Sequence, residues 1–377
     1  MRRRSHCAGS RSRSSAISNA RALVRGAARA FGAREAVARA RCVVAEADIA
    51  LASRDLRWPT RALEAACATL DAHGDRANAA HARYLGVRRL LLIGHLDEAE
   101  QLLAHLDPAP LPPASRAAHE LIAAGIAMRR IRTHAARAAL ARARAAARAA
   151  GIAALTAEVD TAARVLDAPA ARLIARGTSR LVPLDEVETL FESNALVVDA
   201  CRHTVRDART TVSLARRPVL FVLARALGEA WPADVSRNAL VAAAFRAKQA
   251  DESHRARLRV EIGRLRAVLR PLANVVATPR GFALEPLGVR ETVVLARPVD
   301  DRHAAVLALL ADGEAWSSSA LALALGASQR TVQRALDSLA ETGKVQALGR
   351  ARARRWLTPP LPGFATTLLL PVALPGD

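Results

Sequence analysis

Lysine is almost missing from this 377-residue chain; Lys248 and Lys344 are the only two. A P-loop needs Gly-Lys-Ser/Thr after a glycine-rich turn so that the amine reaches the phosphates. The one Gly-Lys pair, Gly343-Lys344, is followed by Val345 and ends an expected helix. That excludes a Walker-type nucleotide switch, a kinase and a lysine-dependent phosphoacceptor domain. Cysteine is also sparse: Cys7, Cys42, Cys67 and Cys201 are scattered without a CxxC. The pattern argues against a zinc site or a disulfide framework and suits a reducing cytosol. Aromatic residues make up 3%, too few to supply the stacking platforms of single-strand RNA recognition. Apolar runs such as LLLI (90–93) and TTLLLPVAL (366–374) are far too short to cross a bilayer. The histidines, among them His95, His105, His119 and His134, lack metal-ligand spacing, and the acids read as solvated helix-surface residues. No catalytic, cofactor or metal site is expected, and the chain reads as a non-enzyme.

What is present is arginine. Residues 1–34 carry +9, residues 252–270 carry +4 and residues 344–356 carry +5, most of the formal charge of +21. GC-rich base composition explains arginine in place of lysine, but not stretches with so few acidic neighbours. Clustered positive charge is the footprint of a partner that is itself a polyanion. Half the residues are apolar, so the chain is globular and long enough for two or three domains.

Residues 1–34 are Arg- and Ser-rich. They read as a basic flexible arm or an over-extended gene start, with a likeness to a transit peptide and no secretory apolar segment. Residues 35–170 read as successive helices rich in Ala, Leu, Arg and Glu. The segments PTRALEAACATL, LDEAEQLLAHL and HAARAALARARA align through Ala62, Ala99 and Ala136, spaced by 37 residues. This resembles a tetratricopeptide-like array, with GHLDEAEQLL (94–103) its best match; an irregular helical bundle is the alternative.

Residues 171–193 read as a connecting strand and a short helix at LDEVETLF, with Asp185 as N-cap. Short strands follow at LVVD (196–199), HTVRD (203–207) and TTVSL (210–214). Helices are expected from Pro218 and at DVSRNALVAAAF, the latter capped by Ser236 or Asp234. In HRARLRVEIGRLRAVLRPLANVVATPRGFAL (254–284), Leu258, Ile262, Leu265, Leu269 and Leu272 form one buried helical stripe. Ala256, Val260, Gly263 and Ala267 face the other way. Arg257 and Arg264 flank them on one side, and Arg259, Arg266 and Arg270 on the other. Small residues between rows of arginine suit a helix in a DNA major groove; a surface helix with solvated arginines is the bland alternative. NVVATPRGFAL then alternates and turns at Arg280-Gly281, as a β-hairpin wing would.

Over roughly 195–286 this order resembles the winged-helix output domain of OmpR-type transcriptional regulators. The resemblance rests on Val260, Ile262, Arg264-Leu265-Arg266, Leu269, Thr278, Arg280, Gly281 and Phe282. It implies that Val260 and Arg264 approach bases, that Arg266 contacts phosphate, and that Arg280 is the wing arginine. Glu261, Gly263 and the shortened wing at PRGF depart from the family pattern. Residues 287–300 read as a short, partly strand-like linker.

In residues 303–356 a first helix is expected to end at Asp312-Gly313. A second, capped by one of the serines 317–319, stops at Gly326, and a third is capped by Ser328. Val332, Ala335, Leu336 and Leu339 form the core face of the third helix. Gln329, Arg330, Thr331, Gln333 and Arg334 stand at its start, where helix-turn-helix proteins read bases. Arg350, Arg352, Arg354 and Arg355 lie along a second wing. ASQRTVQRALDSLAETGKV is similar to the winged helices of DeoR-, GntR- and MarR-type bacterial regulators.

The expected fold class is mainly α with small β-sheets. A basic arm (1–34), a helical repeat-like region (35–170) and two winged helix-turn-helix domains (171–290 and 297–358) precede a Pro-rich tail (359–377). The expected function is a cytoplasmic, nucleoid-associated bacterial transcriptional regulator with double-stranded DNA as partner. RNA polymerase or another protein at the helical region, and a second copy in a homodimer, are left open. The alternative is a non-catalytic scaffold whose repeats and winged helices mediate protein contacts.

Overall fold

The structure, a computed structural model, describes residues 19–32, 34–56, 58–245, 251–288, 291–298, 303–311, 314–349 and 354–358. These residues are mainly helical with small sheets. No described helix is long and apolar enough to cross a membrane. The chain divides into two compact units, one holding the described residues through 165 and from 303 to 358, the other holding 166–298.

The first unit opens with α1 (19–30), α2 (Ala36–Ala52), α3 (Thr60–Ala72), α4 (Arg76–Leu92), α5 (Leu96–Ala104), α6 (Pro113–Arg129), α7 (Thr133–Ala150) and α8 (Ala153–Asp167). From α2 to α7 each helix packs on the next, and α4 also meets α2 and α6. Close approach needs small residues. A Cβ on Gly125 of α6 would come within 2.9 Å of the Leu91 side chain of α4. Ala99 and Ala136 are fully buried, whereas Ala62 is only half-buried and Leu63 takes its place. The cause is register: Leu63, Ala99 and Ala136 are each the fourth residue of their helix. The expected flexible arm is helical from residue 19 onward. Arg21 pairs with Asp55 at 2.7 Å and Arg25 with Glu46 at 2.6 Å, so these arginines do have acidic neighbours.

The second unit contains β1 (Ala171–Ala175), β2 (Thr178–Val182), α9 (Leu184–Glu192), β3 (Leu196–Asp199), β4 (Thr204–Arg206), β5 (Thr211–Ser213), α10 (Pro218–Ala230), β6 (Val235–Ser236), α11 (Arg237–Phe245), α12 (Glu252–Leu269), β7 (Ala273–Ala277), β8 (Gly281–Pro286) and β9 (Thr292–Ala296). A six-stranded sheet has the order β2-β1-β9-β3-β4-β5, and a three-stranded sheet the order β6-β8-β7. α10 packs on the larger sheet through Gly228, where a Cβ would meet Val198 at 3.0 Å and Val294 at 3.1 Å. Leu258, Ile262, Leu265 and Leu269 of α12 join α10, α11, β7 and β8 in one core.

Three expectations fail here. Residues 171–182 are a hairpin rather than a single connecting strand. Asp185 is not a cap: α9 starts at Leu184, and the Asp185 carboxylate accepts from the Glu186 N–H at 2.9 Å. The supposed linker 287–300 contains β9, which pairs antiparallel with β1 and parallel with β3. The partly strand-like reading holds and the linker role fails: all five residues of β9 are buried, as in a strand covered on both faces.

The chain then returns to the first unit with α13 (Ala304–Leu310), α14 (Ser318–Leu325), α15 (Gln329–Glu341), β10 (Gln346–Leu348) and β11 (Arg355–Leu357). Ser317 caps α14 and Ser328 caps α15, each accepting from a backbone N–H. α14 stops at Gly326, whose φ of 59° lies in the left-handed region. Asp312-Gly313 and the tail 359–377 lie outside the described residues. These elements are not a separate body. Val306, Leu310, Trp316, Leu321 and Leu336 belong to one buried cluster with Val44, Leu51, Leu63 and Leu85 of α2–α4. The Arg54 guanidinium lies 5.8 Å from the Trp316 ring centroid, and Trp316 bridges Trp356 through two backbone hydrogen bonds of 2.8 and 2.7 Å.

Candidate nucleic-acid interface

α12 is the most regular candidate. Asp251 caps it by accepting from the His254 N–H at 2.7 Å, and that bond holds the Asp251 carboxyl below its ordinary range. Pro271 ends it. With the apolar stripe committed to the core, the opposite face stays open. Ala256, Gly263 and Ala267 are exposed, and Val260 is 54% exposed although apolar.

Arginines border this face. Arg257 stacks on Phe245 at 4.5 Å, and Arg259 pairs with Glu252 at 3.3 Å. Arg264 pairs with Glu261 at 2.8 Å. The stretch is thus not free of local acids, although it keeps its net charge of +4. The Arg259–Glu252 pair is exposed on both sides, and such pairs are worth about 0–1 kcal/mol, so a phosphate can displace that carboxylate. Arg266 differs. Its Nε donates to the Val275 carbonyl at 2.6 Å, and its guanidinium lies over the Phe282 ring at 5.8 Å. It ties α12 to the β7–β8 hairpin while leaving its terminal nitrogens for other contacts.

The hairpin β7–β8 is braced by residues that sequence reading did not single out for this role. Arg237 donates to the carbonyls of Pro279 (2.8 Å) and Thr278 (3.0 Å) and also lies over Phe282 at 5.6 Å. The Thr278 hydroxyl donates to Asp234 at 2.6 Å and accepts from the Gly281 N–H at 2.9 Å. Ser236 caps α11 by accepting from the Ala239 N–H, which leaves Asp234 for the β7–β8 turn. Arg280, at the tip, is 77% exposed and 3.7 Å from Asp234.

On α15, Val332, Ala335, Leu336 and Leu339 are buried, and Gln329, Arg330, Thr331 and Arg334 are exposed. Gln329 donates to the Ser318 hydroxyl at 3.1 Å and Gln333 to Asp337 at 2.9 Å, so both amides have a fixed orientation. The Thr331 hydroxyl sits 2.9 Å from that of Ser328. Arg354 stacks on Trp356 at 4.2 Å. Arg350 and Arg352 lie outside the described residues.

Away from these surfaces, burial pushes the Tyr84 hydroxyl up to about 12 and His119 down, the two rings meeting through a 3.3 Å hydrogen bond. Among the described residues no group of three or more His, Cys, Asp or Glu could hold a metal ion. No protein-family model, curated protein or solved structure matches the chain.

Proposed function

We propose that this protein is a sequence-specific double-stranded DNA-binding transcriptional regulator of the bacterial winged-helix type. It acts in the cytoplasm without a cofactor. In this reading α10–α12 with the β6-β8-β7 sheet form an OmpR-type winged helix, and α13–α15 with β10–β11 form a second. The stacked helices α2–α8 are a tetratricopeptide-like surface for RNA polymerase, another protein or a second copy.

The observation that carries the reading is the open face of α12. Its centre is built only of small residues and one exposed valine, and exposed arginines border both edges. A face of that width lets a helix seat against base edges while guanidinium groups reach the phosphates. Arg257, Arg259, Arg266 and the wing Arg280 fit backbone contacts, with Val260 over the bases. On α15 the polar start Gln329, Arg330, Thr331, Gln333 and Arg334 fits base contacts, and Arg350, Arg352 and Arg354 fit a basic wing.

The test is a mobility shift of the full chain on random-sequence duplex DNA across a salt series, followed by selection from a randomised duplex pool. The reading expects log K to fall linearly with log salt, by about 0.9 per phosphate contacted, and a preferred sequence to emerge. No shift at low salt would refute it and leave the scaffold reading, in which these modules contact proteins.

A further inference from the structure

Beside the candidate groove-facing surface of α12 lies an open cleft of about 530 Å³, formed where α10 begins. Arg217, Val219, Glu261, Arg264, Ala267 and Val268 are among its lining residues. Two of the three charged groups are guanidiniums, and the third is placed differently. The Glu261 side chain is 13% exposed and sits low, whereas Arg264, paired to it, is 64% exposed at the rim. Arg217 is exposed on the opposite wall, next to exposed Arg216. Ala267 belongs to both surfaces, so the cleft opens directly onto the small-residue face.

This arrangement has a chemical preference. Two rim guanidiniums favour a singly charged, multi-oxygen anion held across the opening, because each can donate in a fork. The carboxylate beneath repels a compact dianion that would sink deeper. Val219 and Val268 supply apolar walls of the kind a sugar can lie against. A phosphodiester within a strand meets all three conditions, and free inorganic phosphate does not.

We infer that the cleft grips one backbone phosphodiester of the duplex whose groove α12 enters, with Arg217 and Arg264 as paired donors. The inference rests on the DNA-binding reading above and goes further. It adds Arg217 to the interface, and it makes Arg264 a source of affinity for any duplex rather than a reader of base identity.

The full chain, Arg217→Ala, Arg264→Ala, the double variant and the control Arg180→Ala are titrated with a random-sequence duplex across a salt series. Arg180 is an exposed residue of β2 paired with Glu186, away from the cleft. Each cleft variant is expected to lower the magnitude of the log K–log salt slope by about 0.9, the value of one phosphate. The double variant should lose little more than either single one, because both remove the same contact. The control should match the parent chain. On a duplex selected by the parent chain, Arg217→Ala and Arg264→Ala should weaken selected and random sequences by the same factor. Inorganic phosphate should compete no better than a salt of equal ionic strength. An unchanged slope in Arg217→Ala, or a fall in the selected-to-random ratio in Arg264→Ala, overturns the inference, as does specific competition by free phosphate. A parent chain that binds no duplex at all sinks the DNA reading instead, so the two failures are distinct. Both side chains are exposed, and unchanged unfolding midpoints confirm that the variants fold.

Discussion

Gly281→Ala is the sharpest test of how the β7–β8 hairpin of the second unit is held. A Cβ at Gly281 would fall 1.8 Å from the Val235 carbonyl oxygen, 2.7 Å from its carbon and 2.9 Å from the Ser236 Cα. All three are backbone atoms of β6, so no side-chain rotation relieves the clash. β6 must retreat by more than an ångström, which breaks the pairing of Val235 with Phe282 and of Ser236 with Gly281. Overpacking of this kind costs about 1–3 kcal/mol, and two lost ladder bonds add about 0.5–1.5 kcal/mol each, together roughly 2–6 kcal/mol. That is a large share of the roughly 5–15 kcal/mol that holds a domain folded. The retreat also drags Asp234 from Thr278 and Arg237 from the turn carbonyls. Urea unfolding of the full chain, with hydrogen exchange to localise the change, should show lost protection in β6–β8 and unaltered protection in α3–α6. Gly263→Ala is the internal control with the opposite sign. Nothing lies within 4 Å of its added Cβ on the exposed face of α12, so helix propensity should stabilise by about 0.5–1 kcal/mol. A Gly281→Ala protein with parental stability and protection would refute the packing of β6 against β8.

Three further outcomes are expected. A fragment spanning 303–358 should fail to fold alone, because every residue of α13 except Ala305 is buried and the helix shares its core with α2–α4; an isolated fragment with sharp cooperative unfolding would contradict that core. His119 is driven down mainly by burial, with Glu120 and Asp107 opposing and Arg142 assisting. The unfolded chain therefore binds the proton more readily. The stability this neutral ring contributes is complete above about pH 6.5 and is lost as the pH falls through the lowered folded value. His119→Gln should flatten the acid limb of α4–α6 protection measured by hydrogen exchange, and an unchanged limb would place the effect elsewhere. Ser328→Ala should remove the cap of α15 and cost about 1 kcal/mol, read as a lower unfolding midpoint of the first unit.

How much of this was legible in the sequence depended on whether each signal was local. The α12 stripe, the turn at Thr278–Gly281, the caps Ser317 and Ser328 and the left-handed Gly326 are short-range patterns, and each sits where the periodicity or turn chemistry put it. The strand character of β9 was legible, but its place between β1 and β3 was not, because TVVLA, apolar apart from Thr292, shows no clear alternation and a buried central strand shares that pattern with an ordinary apolar patch. The brace of Asp234 and Arg237 was missed because its partners lie far along the chain, on the β7–β8 turn. Ala62 was placed one residue off because an alanine-rich helix aligns with itself in several registers.

The most consequential non-local feature is the sharing of one core by α2–α4 and α13–α15. The sequence around Ser328 reads as a self-sufficient module, since capping and periodicity of α15 are complete within it. Yet a helix as short as α13, apolar on every side, cannot solvate any face and must be covered from outside its own module. Leu51, Leu63 and Leu85 belong to the cluster that covers it. The exposed start of α15 is therefore carried on the helical array itself, and a ligand or protein that distorts α2–α4 changes the packing beneath Gln329–Arg334. In the regulator proposed above, the helical region and the second recognition surface form one mechanical body, so any signal sensed by the first would reach the second through packed side chains, without a hinge.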